Sequence, residues 1–147
     1  VYHCSQVIAT QVGNNGSDFA VIRLDRKVDN HQPLKVRRTG SAQVGDDLVV
    51  IGHPVGLPTK VAGGAKVRSI ESTYYVANLD TYGGNSGSAV FNAHSGEVEG
   101  ILVRGELDFT YANDCRLSNE CDDNTCRGED VTKISEVLLH LPPSWLY

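Results

Sequence analysis

The segment NLDTYGGNSGSAVFNAHSGEVEGILVRGE, residues 78–106, sets one serine among three closely spaced glycines. Gly83 and Gly84 precede Ser86, Gly87 follows it, and an apolar stretch with the alternation of a β-strand comes next. A tight turn requires only one or two glycines. The extra glycine therefore indicates a turn that holds Ser86 outward for use.

The chemistry of serine explains why such a turn would be useful. A serine hydroxyl is a weak nucleophile unless a base lies beside it and the anion formed by its attack is stabilised. Two backbone N–H groups directed at one point give that stabilisation, and we predict that Gly84 and Ser86 supply them as an oxyanion hole. Glycine at position 84 lets its peptide turn inward, where a side chain would exclude the substrate carbonyl.

Two other interpretations of the same segment compete with a catalytic serine. One is a glycine-rich turn in which Ser86 only caps the backbone, and a short glycine–serine motif does not by itself decide against it. The other is the nucleophile elbow of hydrolases, which needs a helix after the serine. Residues 88–92, SAVFN, alternate as a strand does and so exclude the elbow.

The remainder of the chain predicts an all-β fold. Short apolar stretches at residues 6–12, 19–24 and 48–51 are separated by turn residues, among them the Gly-Asn-Asn-Gly run at 13–16. Regular short strands with glycine turns are typical of a barrel or a sandwich. Residues 25–46 are polar and predict a connecting segment.

One helix is predicted, near the C-terminus. Asp130 is positioned to cap it, and apolar side chains follow at helical spacing until Pro142 and Pro143 end it. Those apolar residues are Val131, Ile134, Val137, Leu138 and Leu141.

Length and charge limit the possible partners. The 147 residues form one domain, or one domain and part of another, with a hydrophobic content of 40% that suffices for a packed core. The formal charge of −5, with no basic cluster beyond residues 35–38, argues against a nucleic-acid partner. No apolar stretch approaches the ~20 residues that span a bilayer, so no membrane partner is predicted.

Four cysteines predict an exported protein. Cys4 stands apart, whereas Cys115, Cys121 and Cys126 share one polar loop, and an even number in this arrangement favours disulfides. Their spacing is wrong for zinc, and the acidic residues of the loop are poorly spaced for calcium. We therefore predict a secreted or periplasmic location, no metal and no cofactor. The lack of methionine indicates that Val1 begins a processed or truncated piece.

Two motifs resemble the trypsin-like serine peptidases, and especially their bacterial glutamyl-endopeptidase-like branch. They are GNSGSAVFNAHSGEVEGI, which starts at Gly84, and SDFAVIRLD, which starts at Ser17. The resemblance implies that Ser86 is the nucleophile of an acyl-enzyme mechanism, that Asp18 is the acid of the catalytic triad, and that proteins or peptides are the substrates. A strand-initiating cap is the alternative role for Asp18.

The same resemblance implies a chymotrypsin-like double antiparallel β-barrel with a C-terminal α-helix. LVVIGHPVG, from Leu48, resembles the strand that opens the second barrel, and EDVTKISEVLLHL, from Glu129, resembles the closing helix. Residues 1–36 are then the C-terminal remnant of a partial first barrel plus a linker. Residues 37–147 are a complete second barrel with its helix.

The catalytic histidine of the family has no clear counterpart. His3 precedes Asp18 by 15 residues, fewer than the family places between base and acid. Residues 4–24 predict only the strand and turn that lead into the aspartate strand. The other histidines fall in turns, a linker and the predicted helix. We therefore expect the base to come from a missing N-terminal segment or from a second chain.

By resemblance, three residues line the pocket that selects the substrate side chain. Asp80, six residues before the serine, would form its base as a buried carboxylate and favour lysine or arginine at the cleaved position. Gly105 would leave the entrance open, and Glu129 on the wall would add negative charge or block the pocket. The alternative is that Asp80 only caps its turn. Leu102 stands where the glutamyl branch has a histidine, which disfavours cleavage after glutamate.

Asn85 is a further departure from the family. Animal members carry an aspartate there that pairs with a new N-terminal ammonium, so we expect this turn to form without that ion pair, with hydrogen bonds holding the amide. An exported serine endopeptidase is the leading hypothesis. A catalytically inactive, peptidase-like binding module is the alternative, because the base is missing.

Overall fold

In the computed structural model, which describes residues 1–13 and 16–142, the regular secondary structure is almost entirely β-strand. The strands are β1 Cys4–Val12, β2 Asp18–Leu24, β3 Asp47–Gly52, β4 Lys60–Ile70, β5 Tyr74–Ala77, β6 Ala89–Asn92, β7 Val98–Arg104, β8 Phe109–Ala112, β9 Cys115–Ser118 and β10 Glu129–Lys133. A short 3-10 turn, Pro54–Gly56, follows β3, and the α-helix α1, Ile134–Leu138, follows β10. The middle of the predicted turn, residues 14–15, and Pro143 of the predicted helix stop lie outside the described residues.

Six strands close into an antiparallel barrel in the order β10-β5-β4-β3-β6-β7, with β7 pairing back to β10. Alternate side chains of these strands point inward, as the two-residue period of a strand requires. Leu48, Val67, Tyr75, Val90 and Val131 of the barrel core are each at most 2% exposed. The prediction of an all-β fold with a closed barrel and a C-terminal helix is confirmed.

β1 and β2 form a hairpin that is not part of this barrel. Val12 at the end of β1 pairs with Asp18 at the start of β2. Phe19 and Val21 point from β2 toward α1 and pack with Val137 in a second, smaller core. Most of β1 is exposed. The hairpin is therefore held to the barrel mainly through one face of β2.

The C-terminal helix is shorter than predicted, because the barrel takes its first residues. Glu129–Lys133 form β10 between β5 and β7, and the helix begins only at Ile134. Asp130 does not cap it. Its carboxylate is 3% exposed and pairs with Arg104 and Arg127. Barrel closure outweighs helical spacing here, since a strand in this place satisfies the backbone groups of two neighbours at once. Within the described residues, no helix has the length and apolar character needed to cross a bilayer.

The cysteine loop contains structure that the sequence did not indicate. β8 and β9 pair as a hairpin, and the disulfide Cys121–Cys126 closes the segment that follows it. Cys4 and Cys115 are exposed and unpaired in the part of the chain that the structure describes. The prediction of disulfides is right for one pair.

Candidate active site

Ser86 lies at an exposed turn that leads into β6. Gly84 and Gly87 on either side have φ angles of 96° and 89°, in the region that glycine adopts at no steric cost. The Gly87 N–H donates to the Leu102 carbonyl at 2.7 Å, and the Ser86 Oγ donates to the Val103 carbonyl at 3.1 Å, so both are tied to β7. The glycine-rich stretch is a defined turn rather than a loose connection.

Two backbone donors of this turn remain free. Neither the Gly84 N–H nor the Ser86 N–H donates a hydrogen bond within the described residues. The turn is nevertheless braced, because the Val55 N–H donates to the Gly83 carbonyl at 2.7 Å. A Cβ at position 84 would lie 3.2 Å from the Val55 nitrogen, which is tighter than ordinary contact. These two N–H groups lie on one rigid turn and are available to donate to an oxyanion.

Asp18 and Ser86 line the same cleft, although they are 68 residues apart in sequence. The cleft measures about 380 Å³ and lies between the hairpin and the barrel, where Phe19, Leu102 and Val103 also line it. The side chains predicted as acid and nucleophile are thus brought to one cleft from two separate structural units.

No histidine of the described residues lines this cleft. The His3 carbonyl accepts the Asp25 N–H at 2.8 Å, which places His3 at the end of the hairpin opposite Asp18. At about 3.3 Å per residue those two ends are roughly 20 Å apart. Two other histidines have partners away from the cleft, since His53 contacts Thr59 and His94 contacts Asp47. His140 contacts the ring of Phe19, which lines the cleft, but His140 itself does not line it.

A small acidic cavity of about 70 Å³ opens beside Ser86, lined in part by Gly105, Asp108 and Glu129. The Glu129 carboxylate lies directly over Gly105 and leaves no space for a Cβ at that position. Burial raises the pKa of Glu129 to about 7, and the negative charge of Asp108 adds to the effect. Glu129 therefore fills part of this cavity, and its charge changes near neutral pH.

Asp80 does not line this small cavity. It is exposed, and it lines an outer cavity of about 450 Å³ between residues 78–82 and the cysteine loop. Glu129 lines both cavities. The carboxylate expected to be buried at residue 80 is therefore solvated, and Glu129 lies nearer to Ser86.

Asp108 was not among the residues that the sequence indicated. Its Oδ2 accepts the Gly83 N–H at 2.6 Å, so it supports the glycine turn while it contributes charge to both cavities. The acidic run in GELD, residues 105–108, directly after β7, is the signal that could have found it. Finding it would have required knowing that this segment turns back toward Ser86.

Asn85 is 5% exposed, and its Oδ1 has no hydrogen-bond partner within the described residues. Its amide lies against Gly52, where a Cβ would clash with both Asn85 and the Ser88 hydroxyl. Close packing therefore accounts for the position of this side chain, and the expectation that hydrogen bonds hold its amide is not met at Oδ1 within the described residues.

Comparison with known proteins bears on the whole arrangement. The family model described as Trypsin-like peptidase domain matches residues 5–101. A periplasmic serine endoprotease of DegP-like type from Hahella chejuensis is 36% identical over 92 residues, which cover 58% of this chain and 19% of that protein. The chain thus spans about a fifth of the length of this relative.

Two solved structures share the fold. The active form of the Rv3671c protease from M. tuberculosis matches with a TM-score of 0.61 and 21% identity, over 84% of this chain and 52% of that one. Kallikrein-related peptidase 10 matches with a TM-score of 0.67 and 16% identity, over 99% of this chain and 70% of that one. At these identities the likeness concerns the fold alone, and it confirms the chymotrypsin-like architecture.

Proposed function

The chain belongs to the trypsin-like peptidase family, and we propose that it carries the nucleophile of a serine endopeptidase that cleaves peptide bonds through an acyl-enzyme on Ser86. One observation carries the proposal. The exposed Ser86 and the triad acid Asp18 line one cleft, beside free N–H groups at Gly84 and Ser86. A serine in that setting needs only a base to become a nucleophile.

The base is proposed to come from a further N-terminal segment or a second chain. In this proposal residues 1–36 are the last part of a first barrel plus a linker, and residues 37–147 are the second barrel. Two features support this proposal. A completed first barrel would cover the exposed surface of β1, and it would contribute a side chain to the cleft between the hairpin and the barrel. Membership of the glutamyl-endopeptidase-like branch and a secreted or periplasmic location are proposed with it. The periplasmic relative and the disulfide support the location.

Lysine or arginine is proposed at the cleaved position. The small cavity beside Ser86 and the outer cavity, which share Glu129 and Asp108, are lined by the carboxylates of Asp80, Glu106, Asp108 and Glu129, which would attract a cationic side chain. Gly105 lies under Glu129, so a long side chain entering the pocket would meet that carboxylate. Glu129 and Asp108 are proposed as the inner partners of the cation, with Asp80 as an outer one.

Labelling with an organophosphonate tests the function in the longest natural form of the protein. A covalent adduct on Ser86, absent in Ser86→Ala and retained in Ser135→Ala, is the expected result, because only an activated serine reacts. Ser135 is an exposed serine on α1 and serves as the matched control. If the natural form gives no adduct and cleaves no peptide, the endopeptidase proposal is wrong.

A peptidase-like binding module is the second candidate, favoured because no histidine among the described residues lines the cleft. It predicts that peptides bind without being cleaved and that Ser86 does not react. The labelling experiment therefore separates the two candidates.

A further inference from the structure

Two polar contacts join the Asp18 segment to the barrel, and neither follows from the motifs of the nucleophile or the acid. We infer that Thr132 is a positioning residue for Asp18, whose hydroxyl fixes the acid's backbone to the barrel that carries Ser86. The inference rests on the proposed function, because it assigns the residue that sets the spacing between the two proposed catalytic groups.

The Thr132 hydroxyl makes both of its hydrogen bonds to one residue. Its Oγ1 accepts the Asp18 N–H at 3.0 Å and donates to the Asp18 carbonyl at 3.2 Å. A hydroxyl can do both at once, and Thr132 is 1% exposed, so water does not compete for it. The pair of bonds fixes the Asp18 backbone at both its donor and its acceptor.

A second contact holds the turn just before Asp18. The Arg104 guanidinium donates to the Gly13 carbonyl at 3.2 Å and to the Gly16 carbonyl at 2.8 Å. It is itself held by the buried carboxylate of Asp130, whose Oδ2 accepts from Arg104 Nε at 3.0 Å. The approach to Asp18 is therefore anchored on β7, which carries Arg104, and on β10, which carries Asp130 and Thr132.

The path from acid to nucleophile through these strands is short. Thr132 of β10 pairs with Ile101 of β7. The next residue, Leu102, accepts the Gly87 N–H and so holds the Ser86 turn. Only two paired strands separate the two groups, so a shift at Thr132 passes directly into the spacing of the cleft. A misplacement of about 1 Å in such a site can cost about 100-fold in rate.

The test compares Thr132→Val with Thr132→Ser in the full natural protein, with active sites counted by titration. Thr132→Val has the same shape without the hydroxyl and removes both of its hydrogen bonds to Asp18. We expect kcat per active site to fall about 10- to 100-fold with KM changed less than about twofold, because the substrate pocket is untouched. Thr132→Ser should retain most of the activity. Thr110→Val, an exposed threonine on β8, is the matched control and should not change it.

The pH profile separates positioning from a purely structural role. A well-placed carboxylate stabilises the protonated imidazole, so displacing Asp18 should move the acid limb of kcat/KM to lower pH in Thr132→Val. Lower thermal stability with an unchanged kcat and an unmoved acid limb would overturn the inference, as would a Thr132→Ser variant as impaired as Thr132→Val.

A structural readout keeps the inference testable if the proposed function fails. Amide hydrogen exchange at Asp18 should be at least about tenfold faster in Thr132→Val than in the natural protein or Thr132→Ser, since the N–H loses its acceptor. Equal exchange in all three forms overturns the inference whether or not the protein cleaves peptides. Faster exchange without any peptide cleavage would overturn the proposed function instead.

Discussion

Ser86 and Asp18 reach the same cleft from two unlike supports. Ser86 sits on a turn of a closed barrel whose interior residues, such as Leu48, are fully buried. Asp18 begins a two-stranded hairpin whose first strand is largely exposed, and it is held to the barrel by a small core and by Thr132 and Arg104. The proposed nucleophile is thus placed mainly by the backbone of its own turn and the proposed acid by side chains distant in sequence. Substitutions on the barrel side and on the hairpin side of the proposed site should therefore have different effects.

The largest expected effect comes from the hairpin side. Asp18→Asn in the full natural protein should lower kcat about 10⁴-fold with little change in KM, because the amide cannot orient and stabilise the imidazole base. Steady-state kinetics with a peptide substrate measures it. Asp25→Asn, directly after the other end of β2, is the control and should leave kcat unchanged. Loss of less than about tenfold in Asp18→Asn would mean that Asp18 is not the triad acid.

A smaller loss of kcat is expected from a substitution on the barrel side. Gly84→Ala should lower kcat about 10²- to 10³-fold, because a Cβ at this position presses on Val55 and shifts a proposed oxyanion donor. Gly96→Ala is the control for backbone strain, which any side chain at a positive φ angle introduces. Gly96 also has a positive φ, 70°, but its Cβ would meet nothing within 4 Å. Equal kinetic losses in both variants would contradict the oxyanion role.

Glu129 should make the preference for a basic substrate side chain depend on pH. Its pKa of about 7 means that the carboxyl is mostly neutral below that pH and charged above it, so the ratio of kcat/KM for arginine over neutral peptides should rise about tenfold as pH increases through 7. Glu129→Gln should abolish the rise, and Glu71→Gln, on an exposed loop, should preserve it. Faster cleavage after glutamate than after arginine would refute the proposed specificity.

The same raised pKa predicts a stability effect with a definite sign. The folded state holds the Glu129 proton more tightly than the unfolded chain does, since burial disfavours the charged form. The free energy of unfolding should therefore fall as pH rises from about 4.5 to about 7, and Glu129→Gln should remove that part of the decline. Urea titrations of the two forms across this range measure the difference, and parallel pH curves would contradict the assignment.

The smallest expected effect is on stability, from a substitution on the exposed side of the hairpin. If further strands of a first barrel cover β1 in the full natural protein, Val7→Ala should lower the free energy of unfolding by about 1 kcal/mol, as for a partly buried valine. Val44→Ala is the control, because Val44 is similarly exposed, 64% against 58%, but lies in the segment 25–46 that connects β2 to β3. Equal effects below about 0.5 kcal/mol in denaturant titrations would mean that nothing covers β1.

The sequence was most informative where structure depends on neighbours in the chain. Apolar and β-branched runs predicted most of the strands up to β7, and the glycine-rich segment predicted the turn at Ser86. It was least informative at the C-terminal end, where Val131 and Ile134 have helical spacing but only Ile134 is in a helix. The backbone of β5 and β7 requires a partner there, and no local pattern carries that information.

The pocket illustrates the same limit. Asp80 was indicated by its distance from the serine, yet it is exposed, whereas Asp108 and Glu129 lie nearer to Ser86. Which carboxylate enters a cavity depends on how separate loops fold over one another. Fixed spacing from a motif cannot predict that when the loops differ in length.

By itself the sequence determined the all-β class and the rigid serine turn, since strand alternation and glycine φ angles are properties of short segments. Only the tertiary structure brought Asp18 across to Ser86 and set which acids share the pocket. Those placements depend on contacts such as the one between Asp18 and Thr132, 114 residues apart, and such contacts form only when the whole barrel has closed.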